Sequence, residues 1–405
     1  MVATGVFFST MDSSMINVAL PSIMRSFGAT LAQTEWVVQI YLLTITLSLL
    51  FWGRLSDRYG ISSIYLTGMM VFTIGSFACY LSFTLTQLVL FRFVQALGAA
   101  MMMATGPAII KMVFPPEKLG MGLGFIGVAT STGLMTGPVV SGLLIEHFSW
   151  REIFLVTVPV SLPAFFWGWL LLHSSFLKYE NGVKGGSTIV LPVLLMALFR
   201  QRFFFLGMLC ASLSFAVLFV VLILLPFYLD FILGLSAQKT GFVMMAVPLA
   251  VFVVSPISGL LYDRIGARVL TTAGLFLASI SLFSFCLLTK NSTPFDVAWR
   301  LVLLGFGQAL FLSPNSAVLL ATVKTSQAGI TSGMLATSRN LGMLLGVTLA
   351  GVLFGTLFTS FSGGYDLKHF EAGQVIYFME ALHITLIVTA ILSMLGAFLS
   401  GMRPR

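Results

Sequence analysis

Long apolar runs separated by short polar connections dominate this chain. Roughly 20 helical residues cross a bilayer core about 30 Å thick, and on that measure the pattern predicts an all-α polytopic membrane protein with twelve spans. The spans cover approximately 2–24, 36–54, 62–83, 87–112, 120–145, 150–173, 203–230, 240–261, 269–289, 298–322, 328–358 and 377–401.

The composition supports this interpretation and excludes several others. Hydrophobic residues make up 58% of the 405 residues, and the four charged types only 8%. A soluble protein with so few polar side chains could not cover its surface. The net charge of +8 does not indicate a nucleic-acid partner, because the basic residues are scattered between apolar runs. Membrane lipids are the expected surroundings.

The segment 174–202 is the least hydrophobic long stretch and contains KYENGVKGGS. We expect it to be a cytoplasmic linker between a first half, 1–173, and a second half, 203–405. Within it, 188–199 is apolar but too short to span a bilayer, so a surface-lying or re-entrant helix is expected there.

The distribution of Lys and Arg predicts the orientation. Thirteen of them fall on the side of the predicted spans that carries both termini. Five fall on the other side: Arg25, Arg151, Lys239, Lys290 and Lys368. Because cytoplasmic connections carry the excess of positive charge, both termini are expected in the cytoplasm.

One octapeptide occurs twice, as GRLSDRYG at 53–60 and as GLLYDRIG at 259–266. Both copies follow a predicted span, the second and the eighth, and Arg92 and Arg300 share nearly the same offset. Repeats of this kind indicate two similar six-span halves around a central path. The matching glycine, aspartate and arginine residues are Gly53, Asp57, Arg58 and Gly60 in the first copy and Gly259, Asp263, Arg264 and Gly266 in the second.

These motifs, with LVLFRFVQALGAA in span four and GFIGVATSTGLMTGPVVSG in span five, resemble the major facilitator superfamily across nearly the whole chain. MDSSMINVALP followed by EWVVQIYLL is similar to its drug:proton antiporter branch, whose members usually have fourteen spans. The chain lacks the two extra central spans. The resemblance implies two six-helix bundles related by pseudo-two-fold symmetry, in a monomer in a bacterial inner membrane.

The resemblance also implies that the octapeptides form a cytoplasmic latch between the halves, with Asp57 facing the start of span eleven. Glycines at these positions would permit close helix approach, and Arg58 would lie at the headgroup level. An ordinary solvated turn is the alternative. Ile61 and Ser62 stand where the family pattern continues with basic residues, which predicts a weaker first latch.

Span five carries Gly133, Gly137, Pro138 and Gly142. A glycine face permits close helix contact, and a proline inside a helix favours a kink. The resemblance implies an antiporter motif, a flexible seam against the other half. Generic packing of small residues is the alternative, since Gly and Pro are frequent in membrane helices.

Charges inside the spans carry the strongest functional signal, because each is costly unless it is paired or hydrated. Asp12 lies near the middle of span one and Arg92 within span four, and the resemblance places spans one, four, seven and ten around the central cavity. A carboxyl group in a low-dielectric cavity has its protonated form favoured. We therefore expect Asp12 to be a proton or cation site and Arg92 its modulator, with a static ion pair as the alternative.

Weaker candidates accompany this pair. Asn17 and Tyr41 are candidate polar contacts of the cavity, and Arg339 lies in span eleven without an evident partner. Asp230, near the outer end of span seven, is either an exit-side carboxylate of the cavity or a residue of the water interface.

The sequence contains no catalytic constellation, no metal-ligand spacing among its four histidines and no phosphate-binding loop. We therefore expect no enzyme activity and no cofactor, with an ion gradient, by resemblance that of protons, as the energy source. The function expected is export of small lipophilic or cationic organic molecules by alternating access. A lipid flippase, a metabolite transporter and a non-transporting receptor or scaffold are the alternatives.

Overall fold

The computed structural model describes residues 2–114, 119–175, 200–323 and 328–403, and the regular structure in these ranges is helical. Numbered in chain order, the helices are α1 (Val2–Phe27), α2 (Leu31–Tyr59), α3 (Ile61–Tyr80), α4 (Leu85–Val113), α5 (Leu119–His147), α6 (Glu152–Leu155), α7 (Val158–Ser175), α8 (Arg202–Phe227), α9 (Ala237–Met244), α10 (Ala246–Ile265), α11 (Ala267–Phe285), α12 (Pro294–Ala321), α13 (Ala328–Leu349), α14 (Gly355–Phe361) and α15 (Val375–Gly401). Two π-helical turns, Tyr228–Ile232 and Ala350–Phe354, continue α8 and α13, and two short 3₁₀ turns, Leu367–His369 and Ala372–Gln374, precede α15.

These helices assemble into twelve long segments, because α6 with α7, α9 with α10, and α13 with α14 follow one another almost without interruption. Ten segments of the described residues are long and apolar enough to cross a membrane. The helices α1 and α2 are as long but less apolar. The chain is thus an all-α integral membrane protein, as the sequence pattern predicts.

The repeat seen in the sequence is also present in the packing. In the first half, α1 to α7, the main pairs are α3 with α4, α1 with α5, α2 with α4 and α3 with α7. In the second half, α8 to α15, the corresponding pairs are α11 with α12, α8 with α13, α10 with α12 and α11 with α15. Equivalent spans therefore make equivalent contacts, which is the pseudo-two-fold relationship between two six-span bundles.

Two helix pairs join the halves along a seam. Helix α5 packs against α9, and α2 packs against α13. These two contacts are equivalent under the same pseudo-symmetry, since the second and fifth spans correspond to the eighth and eleventh. The space between the halves is therefore bounded on two opposite sides.

The octapeptides are helical for most of their length, whereas the predicted spans end at 54 and 261. Helix α2 continues to Tyr59 and α10 to Ile265, so only the last residue of each copy forms the connection. Gly60 and Gly266 have positive φ values of 92° and 80°. Residues with a Cβ rarely adopt this conformation, so glycine ends both helices and starts the next ones.

Most buried apolar side chains of the described residues belong to three clusters. The largest contains residues of both halves, including Met15 and Leu225, and lies away from the chain termini. Near the termini, one cluster belongs to α1–α4, with Tyr65 and Phe72, and another to the second half, with Phe204 and Phe311. The halves therefore share one core at the end that we call the closed end, and have separate cores at the end that we call the terminal end.

The predicted linker lies almost entirely outside the described residues, because 176–199 fall between α7 and α8. The same holds for the apolar segment 188–199. The boundaries 174–202 and the surface helix remain predictions.

Candidate functional site

A cavity of about 290 Å³ lies between the two halves. It is lined by α1, α2, α4 and α5 of the first half and by α8, α9, α10, α12 and α13 of the second. Most of the lining is apolar. The polar lining residues are Ser9, Thr10, Ser13, Ser14, Asn17, Tyr41, Thr130, Ser131, Gln308, Arg339 and Asn340.

Asp12 and Arg92 form an ion pair inside the first half. Arg92 Nη1 donates to Asp12 Oδ2 at 2.6 Å, and the two side chains are 0% and 1% exposed. A buried guanidinium and a buried carboxylate each cost several kcal/mol to desolvate, and pairing offsets that cost. The two charges that stand out in the sequence are therefore brought together.

Gln95 extends this ion pair into a hydrogen-bonded network. Its Nε2 donates to Asp12 Oδ1 at 2.9 Å and to Ser76 Oγ at 3.0 Å, while its Oε1 accepts from Arg92 Nη1 at 2.7 Å. Arg92 Nε donates to the carbonyl of Val37 in α2 at 3.2 Å. The network ties α1, α2, α3 and α4 together, so a change of charge on Asp12 would act on all four helices.

Tyr41 separates this network from the cavity. The Arg92 guanidinium carbon lies 4.2 Å from the centre of the Tyr41 ring, a cation–π arrangement. The Tyr41 hydroxyl lies 3.2 Å from Ser9 Oγ, and both residues line the cavity. A ligand in the cavity would thus contact a side chain that is itself in contact with the ion pair.

Asn17 and Tyr41 line the cavity, as the sequence predicts, and the Oδ1 atom of Asn17 is buried without a hydrogen bond. Asp12 and Arg92 are not among the residues that line the cavity, whereas Tyr41, which packs against the Arg92 guanidinium, is. The expectation that these two charges line the cavity is therefore corrected to a position one side chain behind it.

Asp230 does not line the cavity either. It lies in the π-helical turn after α8, at the closed end, and accepts hydrogen bonds from both terminal nitrogens of Arg25. Arg25 also lies over the Phe231 ring, 5.3 Å from its centre. The location at the end of the spans agrees with the interface alternative, and the pair joins α1 to the second half.

The second half contributes a wall with unused hydrogen-bond donors. Among the described residues that line the cavity, Arg339 has the one charged side chain. Its Nη2 donates a hydrogen bond to Ser316 Oγ at 2.6 Å. The Nε of Arg339, the Nε2 of Gln308 and the Nδ2 of Asn340 are buried and have no acceptor. The sequence analysis singled out Arg339 alone, because neutral amides in a helix carry no comparable signal.

Glu35 is a second residue that the sequence analysis missed. It lies in the second turn of α2, is 1% exposed, and forms no ion pair with the described residues. Its carboxylate packs so closely against Gly351, in the π-helical turn of the other half, that a Cβ there would collide with it. The signal available was a charge one turn inside a long helix that contains the motif EWVVQIYLL.

The glycines of span five face two different partners. A Cβ on Gly133 or Gly137 would collide with α1, within the same half. A Cβ on Gly142 would collide with the Ala237 carbonyl of α9, and a Cβ on Gly241 with the Pro138 carbonyl of α5. The expected seam against the other half is therefore formed by Pro138 and Gly142, whereas the other two glycines hold α5 against α1.

The first glycines of the octapeptides are not at close contacts. A Cβ on Gly53 would meet no atom within 4 Å, and one on Gly259 would only reach Ser313 Oγ at 3.9 Å. The expected reason for these glycines, close helix approach, does not apply in this conformation. Arg58 and Arg264 are exposed. The side chains of Asp57 and Asp263 lie outside the described part, so the latch contact remains a prediction.

The described residues contain no group of three or more His, Cys, Asp or Glu side chains that could hold a metal ion.

Comparisons with known proteins identify relatives along most of the chain. The family model of the Major Facilitator Superfamily matches residues 2–347. The riboflavin transporter RibZ of Clostridioides difficile is 34% identical over 400 residues, covering 88% of each chain. The multidrug resistance protein Stp of Mycobacterium tuberculosis is 28% identical, covering 87% of this chain and 74% of its own.

A solved structure shows the same fold at low identity. The bacterial homologue of the human lysosomal transporter Spinster, in an inward-facing and unoccupied conformation, superposes with a TM-score of 0.76 at 17% identity, covering 99% of this chain and 95% of that one. Two bundles of six spans, the repeated octapeptide and the family match over most of the sequence agree with one another. The chain is a membrane transporter, not an enzyme, and it belongs to the major facilitator superfamily.

Proposed function

We propose that this transporter is a proton-coupled efflux antiporter that exports small lipophilic organic molecules by alternating access. The observation that carries the proposal is the buried Asp12–Arg92 pair, which lies one side chain behind the cavity. Titratable groups inside a membrane protein are retained where an ion must bind. The likeness to the multidrug resistance protein Stp supports the direction of transport.

In the proposed cycle, Asp12 is the proton site and Arg92 its modulator. A proton on Asp12 removes the charge that neutralises Arg92, so the guanidinium must find other acceptors within the Gln95 network. Tyr41 lies over the guanidinium and lines the cavity. Protonation therefore changes the wall that contacts the substrate, and substrate and proton compete for one conformational state.

The direction of the cavity follows from the same proposal. The separate cores at the terminal end leave the halves apart there, and the positive-inside distribution of Lys and Arg supports placing that end in the cytoplasm. With the shared core at the other end, the conformation described would receive substrate from the cytoplasm of a bacterium and release it after rocking of the halves. The transporter would work as a monomer in the inner membrane, with the proton gradient as the energy source.

The test is a flux measurement in sealed vesicles. The purified protein is reconstituted, a pH gradient is imposed, and internal pH is followed while neutral aromatic compounds, lipophilic cations and organic anions are added in turn. The proposal predicts proton movement that depends on a compound and is lost in Asp12→Asn. The control is Glu146→Gln, because Glu146 is an exposed carboxylate at the end of α5.

Other results would favour the alternatives. Proton movement that is unaffected by Asp12→Asn would leave an antiporter but reject Asp12 as its proton site. Flux of a labelled lipid or solute without proton movement would support the flippase or the facilitated metabolite transporter. The absence of any flux, with folded protein, would support a non-transporting receptor.

A further inference from the structure

We propose that the cavity wall formed by the second half is a subsite for an organic anion, with Arg339 binding the anionic oxygens. This inference deepens the proposed function, on which it rests in taking the cavity as the substrate site. It also replaces the cationic substrate class expected from the sequence with the opposite charge.

The first observation is that the charge of Arg339 is not neutralised by the protein. Arg339 lies on α13, one helix turn after Leu335, and forms no ion pair among the described residues. Its recorded contacts are the hydrogen bond to Ser316 Oγ and the Phe215 ring, whose centre lies 5.8 Å from the guanidinium carbon. A guanidinium has five N–H donors, and among the contacts above only the one to Ser316 Oγ satisfies a donor, while Nε has no acceptor.

The second observation is that its neighbours on this wall are donors as well. Gln308 and Asn340 are buried, line the same cavity, and each has an amide nitrogen without an acceptor. The Oε1 of Gln308 accepts from Ser214 Oγ at 2.7 Å, which leaves its Nε2 as the free end of the amide. Buried donors are normally satisfied, so three donors without a protein acceptor beside one cavity suit a ligand that brings acceptor oxygens.

The third observation is the absence of a negative charge on the rest of the described lining. The first half contributes hydroxyl groups, Asn17 and Tyr41, while the carboxylate of Asp12 lies behind Tyr41 and is held by Arg92. A cation in this cavity would be repelled by Arg339 and would find no carboxylate, and the low dielectric would strengthen the repulsion.

The remaining lining defines the other part of the ligand. Around the donor wall the cavity is apolar, with Leu218, Phe219 and Met343 among its residues. A planar guanidinium binds a carboxylate through two parallel hydrogen bonds. The chemistry therefore fits a compound with an apolar, aromatic or aliphatic body and a carboxylate or similar delocalised oxyanion.

The decisive experiment compares three probes that share one body and differ in charge. Equilibrium binding of 2-naphthoate, 2-naphthamide and 2-naphthylmethylammonium to the full-length detergent-purified protein is measured at pH 7. We expect 2-naphthoate to bind at least about tenfold more tightly than 2-naphthamide, and the ammonium compound to bind most weakly. Binding of the ammonium compound as tight as that of 2-naphthoate would overturn the proposal.

Variants then locate the charge preference. In Arg339→Gln, binding of 2-naphthoate should weaken at least about tenfold while that of 2-naphthamide stays within about twofold. Arg339→Lys should lie between, because it keeps the charge and loses the planar fork. The control is Arg300→Gln, which removes a buried cation of the same half that donates to backbone carbonyls at the other end of α12.

An equal loss of binding for both probes in Arg339→Gln would show a structural role and contradict the subsite. The three probes are compared on the unaltered protein, so this comparison still tests the subsite if a variant fails to fold.

Binding is measured without a proton gradient, which separates the subsite proposal from the antiporter proposal. Preference for 2-naphthoate without proton-linked flux would reject the antiporter alone, and proton-linked flux with preference for the ammonium compound would reject the subsite alone.

Discussion

Arg25 and Asp230, from different halves of the protein, form a two-pronged ion pair across the closed end. Arg25 Nη2 lies 2.5 Å from Asp230 Oδ2, and Nη1 lies 3.1 Å from Oδ1. In the proposed alternating-access cycle the halves separate at this end, so the pair would break in each cycle. It is a contact of one conformation and should control how often that conformation opens.

Arg25→Gln should therefore increase opening at the closed end. The Arg25 side chain is 51% exposed, and pairs of this kind contribute about 0.2–1 kcal/mol. We expect a maleimide to label Leu229→Cys about twofold to fivefold faster in Arg25→Gln, in a background without Cys79, Cys210 and Cys286. The exchanged pair, Arg25→Asp with Asp230→Arg, should restore the slow rate, and equal rates in all three proteins would contradict the role.

Arg92→Lys tests whether the geometry of the buried network matters as well as its charge. Lysine keeps the positive charge but loses the Nε hydrogen bond to Val37 and the planar fork toward Asp12 and Gln95. The free energy of unfolding in mixed micelles should fall by about 1–3 kcal/mol. Arg300→Lys, at the repeat-related position without a buried carboxylate, should lower the free energy of unfolding clearly less. Equal losses in the two variants would contradict a special role for the Arg92 hydrogen-bond geometry.

Glu35→Gln should stabilise the conformation described here. Glutamine has the same shape, and it removes a carboxylate that is buried against Gly351 without a cation. We expect the free energy of unfolding to rise by about 1–3 kcal/mol and the labelling of Leu229→Cys to slow.

The exposed carboxylate Glu146 provides the matched control for this substitution. Glu146→Gln should change the free energy of unfolding by no more than a few tenths of a kcal/mol, and it should leave the labelling rate of Leu229→Cys unchanged. A loss of stability in Glu35→Gln would instead show that the hydrogen bond that Glu35 Oε2 accepts from Gln39 Nε2 outweighs the cost of the buried charge.

Two glycine-to-alanine substitutions should have opposite effects. Gly142→Ala introduces a methyl group against the Ala237 carbonyl at the seam, and overpacking of this kind costs about 1–3 kcal/mol. Gly53→Ala meets no neighbour, and alanine in a helix is more stable than glycine by about 0.5–1 kcal/mol. Melting curves in detergent should separate the two, and a destabilised Gly53→Ala would indicate that the octapeptide glycine packs in another state.

Much of the architecture could be predicted because membrane spans and repeats are properties of long segments. The twelve spans, the two halves and the position of Asp12 and Arg92 inside spans follow from hydropathy and spacing. The sequence does not reveal partners. Gly53 and Gly142 are the same residue type in similar helices, yet one faces open space and the other a backbone carbonyl.

The missed residues have the same explanation. Glu35 stands out only because it packs against Gly351, which belongs to the other half of the chain. The amides of Gln308 and Asn340 stand out only because they lie beside the same cavity as Arg339. Both findings depend on which helices of the two halves lie next to each other, and the predicted spans do not specify those contacts. Asp230 could be placed at the end of a span from its position, but its partner Arg25 could not be named.

The division of the apolar core has a consequence for biosynthesis. The first half enters the bilayer before the second half has been translated, and its cluster at the terminal end, built from α1–α4, is complete at that moment. Most members of the shared cluster come from the second half. The residues of α1 and α2 that belong to it must therefore be covered by lipid until α8 and α12 insert, so the end of the protein that closes most firmly is the last to be assembled.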